Sequence, residues 1–175
     1  MDVNNDKYGI RLYGDPVLRQ TARNVTEFTD SLRAVAEGMV EALKEENGLG
    51  LAAPQVGISD RVVVIDRSTE EHPDDFWVLV NPELVALEGE CVIEEGCLSV
   101  PNIWEDVARP ELVRVRYQDL AGEVRETDLE GMLARVVQHE TDHLNGILFI
   151  DRLSAVKRQL LARALKTLAE KGTNG

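Results

Sequence analysis

No stretch of this sequence is apolar for long enough to cross a membrane. Aliphatic runs such as Val62-Val63-Val64-Ile65 stop at four residues, against the ~18 that a spanning helix needs. A targeting leader is not expected either: the first twenty residues carry Asp2, Asp6 and Asp15 and no apolar segment. Neither a secretory signal nor a basic transit peptide is therefore expected, and a cytoplasmic location is. Positive charge is in short supply, with 19 Lys and Arg against 32 Asp and Glu and a net charge of −13. That balance argues against a general DNA or RNA binder. Cysteine is scarce too. Cys91 and Cys97 cannot make a disulfide framework, and a reducing compartment is the setting they suit. Cysteines in such a compartment serve as buried packing, metal ligands or nucleophiles. Histidine occurs three times in 175 residues, so where it falls is informative.

What is present suffices for one core. The chain is 43% hydrophobic and mixed in character, as expected for a single domain over residues 1–175. Its charge is uneven. From Arg152 to Lys171 six basic residues stand against Glu170 alone, a local +5 that leaves −18 on the first 151 residues. The core is thus placed at about 8–150 and a separate basic helix at about 153–171.

Asp15-Pro16 reads as a helix start, with Asp as cap and Pro in the first turn. Leu32, Val35, Ala36, Met39, Val40 and Leu43 follow helical spacing from Asp30 to Asn47, with Gly48 placed as the stop. Arg61–Asp66 and Phe76–Asn81 read as buried strands, and Glu83–Ile93 as a weaker one. Leu112–Gln118 alternates Val113, Val115 and Tyr117 against Arg114, Arg116 and Gln118, a half-buried strand that turns at Asp119–Gly122 into Glu123–Thr127. Asp128–Asn145 and Leu153–Lys171 read as helices. The expected fold is α+β, antiparallel strands packed around a buried central helix, with an amphipathic helix at the C-terminal end.

That central helix bears His139-Glu140-Thr141-Asp142-His143, an H-E-x-x-H pattern. Residues four apart lie one turn apart on the same face, so both imidazoles can reach one metal ion. With Leu129 as origin and ~100° per residue, the apolar arc runs from Met132 at ~300° to Val137 at ~80°. Glu140 falls inside it at ~20°, with His139 at ~280° and His143 at ~320°. A carboxylate on the core side of a helix is costly unless something uses its charge. Beside a metal-activated water it has the position and raised basicity of a general base.

A catalytic site needs a third protein ligand. Extended metalloprotease patterns would place His where Phe149 stands, and the one downstream Glu, Glu170, lies in the basic tail. Upstream, Glu94-Glu95-Gly96-Cys97-Leu98-Ser99 supplies Cys97, a soft ligand for Zn²⁺ or Fe²⁺ as the thiolate. Gly96 lets the backbone pass close to the ion, and the Leu98 N–H can then point into the site. The alternative is a closed Cys91, Cys97, His139, His143 centre without chemistry. Cysteines six apart fit that poorly, since such sites space them two to four residues apart.

Gly48-Leu49-Gly50-Leu51-Ala52-Ala53-Pro54-Gln55 mimics a dinucleotide fingerprint, but it follows a charged helix rather than a first strand, and Pro54 blocks the helix required next. It reads instead as an extended loop for close backbone approach of a substrate. Gln55 is its one hydrogen-bonding side chain, suited to polarise a carbonyl oxygen.

Taken together, Gly48–Gln55, Glu95–Ser99 and Gln138–His143 resemble, in order and separation, the three motifs of the peptide deformylase family. The opening Ile10–Leu18 is similar as well, and the likeness covers roughly residues 8 to 160. The resemblance implies hydrolytic removal of the formyl group from the N-terminal formylmethionine of newly made polypeptides. It implies one divalent ion, Fe²⁺ with Zn²⁺ or Ni²⁺ as alternatives, on Cys97, His139 and His143. Glu140 is then the acid/base, and Gln55 and the Leu98 N–H the oxyanion donors. The substrate would lie along Gly48, Leu49, Gly50, Ile93, Glu95, Gly96, Met132 and Val136. Arg135, one turn before His139, stands where an aliphatic pocket wall is expected, and Trp104 follows the second motif. The expected partners are a formylmethionyl nascent peptide and, through the basic C-terminal helix, the ribosome; DNA and membranes are not expected.

Overall fold

The computed structural model describes residues 8–173, so Asp2 and Asp6 of the acidic start lie outside it. A 3-10 turn, Pro16–Arg19, opens under an Asp15 cap whose carboxylate accepts the Val17 N–H at 2.9 Å. Helix α1 (Asp30–Glu46) buries Leu32, Ala36, Met39, Ala42 and Leu43, the stripe its periodicity demands. It stops one residue before the expected glycine, because Asn47 itself takes the left-handed conformation at φ 52°.

Strands β1 (Gly50–Ala52), β2 (Val62–Asp66), β3 (Phe76–Glu88), β6 (Leu112–Gln118) and β7 (Val124–Glu130) form a five-stranded antiparallel sheet in the order β1-β2-β3-β6-β7. Strands β4 (Cys91–Cys97) and β5 (Val100–Arg109) pair only with each other. Helix α2 (Gly131–Leu144) follows β7 directly, and α3 (Ala155–Gly172) follows a 3-10 turn at Phe149–Arg152.

The sheet is buried on both faces where it matters. Along β2, Val63 and Ile65 pack in one cluster with Ala134, Val136 and Val137 of α2, while Val62 and Val64 pack with Met39 and Leu43 of α1. This is the period of two expressed as two half-cores. A third cluster joins Val100, Ile103 and Val107 of β5 to Leu148, Phe149, Ile150 and Leu165, with Cys97 packed against it. Helix α2 is consequently buried throughout from Ala134 to Leu144.

Four boundaries differ from the sequence reading. The weaker strand at Glu83–Ile93 is two: β3 continues to Glu88, the chain turns at Gly89 (φ 71°), and β4 begins at Cys91. Strand β3 survives Pro82 because the ladder shifts register there, while the Asn81 side chain bonds Val25 N, Val25 O and Gln118 at 2.8 Å each. Asp128–Glu130 belong to β7 rather than to the helix, since Leu129 pairs with Val113 and is buried against the sheet. Gly131, at φ 60°, then swings the chain from strand straight into α2. The glycine segment is not all loop: Gly50–Ala52 is an edge strand, and Ala53–Val56 a 3-10 turn. Strand β5 had no counterpart in the sequence reading.

Candidate metal centre

Helix α2 delivers His139 and His143 one turn apart, with ring centroids 5.2 Å apart and planes at 63°. Cys97 comes to them from the end of β4, where the hairpin closes by pairing Cys97 with Val100. Its Sγ lies 3.3 Å from His143 Nε2, across 46 residues of sequence. One ligand atom from each of Cys97, His139 and His143 lies within 4.8 Å of the others, the one such grouping among the described residues. Cys91, paired with Arg109 at the far end of β4, is not part of it. A sulfur and two imidazole nitrogens are a donor set that Fe²⁺, Zn²⁺ or Ni²⁺ accepts, and three protein ligands leave a coordination position open.

One side of this cluster is closed by charge. Glu95, 5% exposed, takes four donors on two oxygens. Oε1 accepts from Arg109 Nε at 2.6 Å and Arg135 Nη1 at 2.8 Å. Oε2 faces Arg109 Nη2 at 3.0 Å and His139 Nδ1 at 2.9 Å. With Nδ1 directed at a carboxylate, Nε2 of His139 is the nitrogen free to ligate. Burial alone would raise the Glu95 pKa, but the hydrogen bonds and charges of His139 and Arg109 hold its carboxyl well below the usual range. Arg109 also reaches Asp142 at 2.7 Å, and Asp142 accepts from Arg152 Nε and Nη2 at 2.6 Å each. Phe149 stacks on His139 with centroids 6.0 Å apart.

The other side lacks such pairing among the described residues, and in that sense is open. Glu140 is buried, yet its Oε2 has no hydrogen-bond partner among the described residues. Burial pushes its pKa up to about 7, with Glu95 and Asp142 adding to the rise and His139 and Arg109 opposing it. A methyl group on Gly50 would stand 2.7 Å from Glu140 Oε1 and 2.7 Å from Val136 Cγ1, so only glycine lets β1 lie this close to the helix. Gln55, 1% exposed, is oriented by the Ala52 N–H, which donates to its Oε1 at 2.9 Å. Its Nε2 is then turned toward the cluster, donating to Ser99 Oγ at 3.2 Å and lying 3.6 Å from Cys97 Sγ.

Gln55, Cys97, His139, Glu140 and His143 thus meet, with Gly50 and Val136 against the Glu140 carboxylate. Glu95, expected along the substrate, is committed to two arginines and His139. Gly48 faces Leu43 and Leu98, whose Cδ1 atoms would lie 2.9 and 3.1 Å from an added methyl. Gly96 sits under the Trp104 ring, 2.7 Å from where its Cβ would be. That contact falls where the β4–β5 register shifts between Glu95 and Cys97. Leu49 and Met132 are half-exposed apolar residues, and Ile93 pairs with Val107 on the hairpin. Arg135 is no open pocket wall, since its guanidinium bonds Glu95, the Val107 carbonyl and the Cys91 carbonyl. Arg109, Asp142, Arg152 and Ser99 were not singled out from the sequence. The available signals were Asp142 inside the H-E-x-x-H motif and Ser99 at the end of Glu95–Ser99; a buried arginine carries no local mark.

Among known proteins, the chain matches the polypeptide deformylase family over residues 7–159. It is 52% identical over 160 residues to a peptide deformylase of Acidobacterium capsulatum, covering 91% of this chain and 94% of that protein. The crystal structure of peptide deformylase from Thermotoga maritima superposes with a TM-score of 0.79 at 47% identity, covering 84% of this chain and 97% of that one. The Thermus thermophilus peptide deformylase structure gives 0.86 at 45% identity, covering 95% and 98%.

Proposed function

The chain belongs to the polypeptide deformylase family, and from that premise we propose how its residues hydrolyse the formyl group from the N-terminal formylmethionine of newly synthesised polypeptides, releasing formate. The observation that carries the reading is the meeting of Cys97, His139 and His143, within 4.8 Å of one another, beside a buried Glu140 oxygen that no other described residue engages by a hydrogen bond. The protein is a metal-dependent hydrolase, and Fe²⁺ is the ion we assign, with Zn²⁺ or Ni²⁺ able to take its place. Cys97 as thiolate and the two imidazoles would hold the ion, which would supply the Lewis acidity that brings the pKa of water from ~15.7 towards ~7.

Glu140 takes the proton of the attacking water. As the water oxygen bonds to the formyl carbon, negative charge grows on the formyl oxygen. Gln55 Nε2 and the Leu98 N–H donate to it, each worth about 3 kcal/mol to the transition state. Glu140 then passes the proton to the leaving amine, so formate and a free N-terminus result. The substrate backbone runs along Gly48, Leu49 and Gly50, beside Gly96, and the methionine side chain is received among Ile93, Met132 and Val136, with Glu95 behind them.

Helix α3 exposes Val156 (68%) and Leu160 (80%), and at ~100° per residue Arg163 and Lys171 fall on the same side; this face we assign to the ribosome, with the enzyme working in the cytoplasm. Deleting residues 152–175 is a poor test of this. It strips Leu165 from the cluster that packs on Phe149 and Cys97. Reversing the charges of the exposed Arg163 and Lys171 leaves that cluster alone and is expected to abolish ribosome co-sedimentation; unchanged co-sedimentation ends the assignment.

One assay tests the chemistry: formate release from formyl-Met-Ala-Ser, with metal content measured in the same sample. Wild type is expected to act on the formylated peptide and to leave the acetylated and unmodified peptides intact. Cleavage of their internal bonds would instead mark a general metallopeptidase.

A further inference from the structure

The β4–β5 hairpin carries the Cys97 ligand, but no backbone ladder joins it to the five-stranded sheet. What holds it to α2 near the ligands is side-chain chemistry. Arg109 reaches from β5 to Asp142 on α2. Arg135 reaches the other way. Its guanidinium, on a side chain 5% exposed, donates to the Cys91 carbonyl at 2.6 Å, the Val107 carbonyl at 2.9 Å and Glu95 Oε1 at 2.8 Å. One planar group thereby ties both strands of the hairpin to the helix. Arg135 also precedes His139 by four residues, so the two sit one turn apart on one face. They grip the same carboxylate by its two oxygens, Arg135 on Oε1 and His139 on Oε2.

We infer that Arg135 is a positioning residue for the metal centre: through Glu95 it fixes the His139 ring, and through the Cys91 and Val107 carbonyls it fixes the hairpin that presents Cys97. The inference rests on the reading of Cys97, His139 and His143 as ligands. Partners of this kind behind a ligand set its ring orientation, and their loss typically lowers metal affinity 10–100-fold. An unbranched apolar side chain of similar length fills the space but cannot bond any of the three acceptors. Lysine restores a charge without the fork that reaches all three.

The test measures Zn²⁺ dissociation constants by chelator competition, and the visible spectrum of the Co²⁺-loaded protein, for wild type, Arg135→Met, Arg135→Lys and Leu32→Ala. Leu32 is buried on α1, which gives no residue to the site. It therefore reports what general destabilisation alone does. Arg135→Met is expected to weaken Zn²⁺ binding about 10–100-fold and shift the Co²⁺ bands. Arg135→Lys falls between it and wild type, and also serves if the Met variant does not fold. Leu32→Ala lowers Tm with affinity and spectrum unchanged. Wild-type affinity in either Arg135 variant, or equal weakening in Leu32→Ala, overturns the inference. A wild-type protein that binds no stoichiometric metal would overturn the ligand assignment itself, a distinguishable result.

Discussion

Two buried carboxylates flank His139, and the molecule treats them in opposite ways. Glu95, on the hairpin side, is surrounded by Arg109, Arg135 and His139 until both oxygens are saturated. Glu140, on the β1 side, keeps one oxygen without a partner. Burial holds its pKa near the pH at which a base must both take and give a proton. A buried charge that is fully paired holds structure in place, whereas one left bare in the same helix environment is available for chemistry. The closed side holds His139 and the hairpin in place, and the side of Glu140 is the one to which the proposed mechanism brings substrate.

The contrast is broken hardest at Glu140. Glu140→Ala is expected to cut formate release about 10²–10⁴-fold, the range of a lost general acid–base. Metal content should stay unchanged and Tm should not fall, because the variant removes a buried group that lacks a hydrogen-bond partner. Retained activity would end its assigned role, and a large loss of Tm would show that the two carboxylates are alike after all. Glu95→Ala is the mirror experiment. It strands two buried guanidinium groups, which costs about 3–5 kcal/mol of stability, read as a fall in the urea midpoint. A midpoint within experimental error of wild type would refute the closed-side argument.

Smaller effects sharpen the open side. Gln55→Ala is expected to lower kcat about 10²–10³-fold, as for one oxyanion donor, while KM and metal content hold. A change confined to KM would assign Gln55 to substrate binding instead. Gly50→Ala pushes a methyl group to within 2.7 Å of Glu140 and Val136. Overpacking of that kind costs about 1–3 kcal/mol, and because the displaced group is the proposed base, formate release should fall more than Tm predicts. Equal falls in both would mean that Gly50 is only a packing residue.

How much of this was legible in the sequence follows from which forces act locally. Leu112–Gln118 alternates, and the strand is found with the same bounds; α1 likewise follows its apolar stripe. The start of α2 was misplaced because Leu129 fits a helical stripe and a strand face equally well. Only its pairing with Val113 decides between them. Strand β5 was missed because Pro101 and a register shift interrupt its pattern. The grouping of His139, Glu140 and His143 was readable because a helix makes spacing into geometry; Cys97, on a strand, was reached through its chemistry as a soft ligand and through its motif. Arg109 and Arg135 were not, since a buried arginine is recognised by its acceptors, and these come from segments 14 and 40 residues away.

The smallest expected effect tests whether the cluster is open at all. A closed centre with Cys91 as fourth ligand was the competing reading of the same four residues, and it would leave no place for substrate or water. The fold separates the two cysteines. Cys91 begins β4 opposite Arg109, Cys97 ends it beside His143, and only the second shares the grouping with the histidines. The part of Cys91 that the site uses is its carbonyl, which accepts from Arg135 at 2.6 Å, and serine keeps that carbonyl. Cys91→Ser should therefore bind one equivalent of metal as wild type does and release formate at a rate within about twofold, its stability changed by no more than about 0.5 kcal/mol, as for substitutions away from packed features. Loss of metal from this variant, measured by elemental analysis after gel filtration, would place the sulfur of Cys91 on the ion. The open side would then have no coordination position to serve.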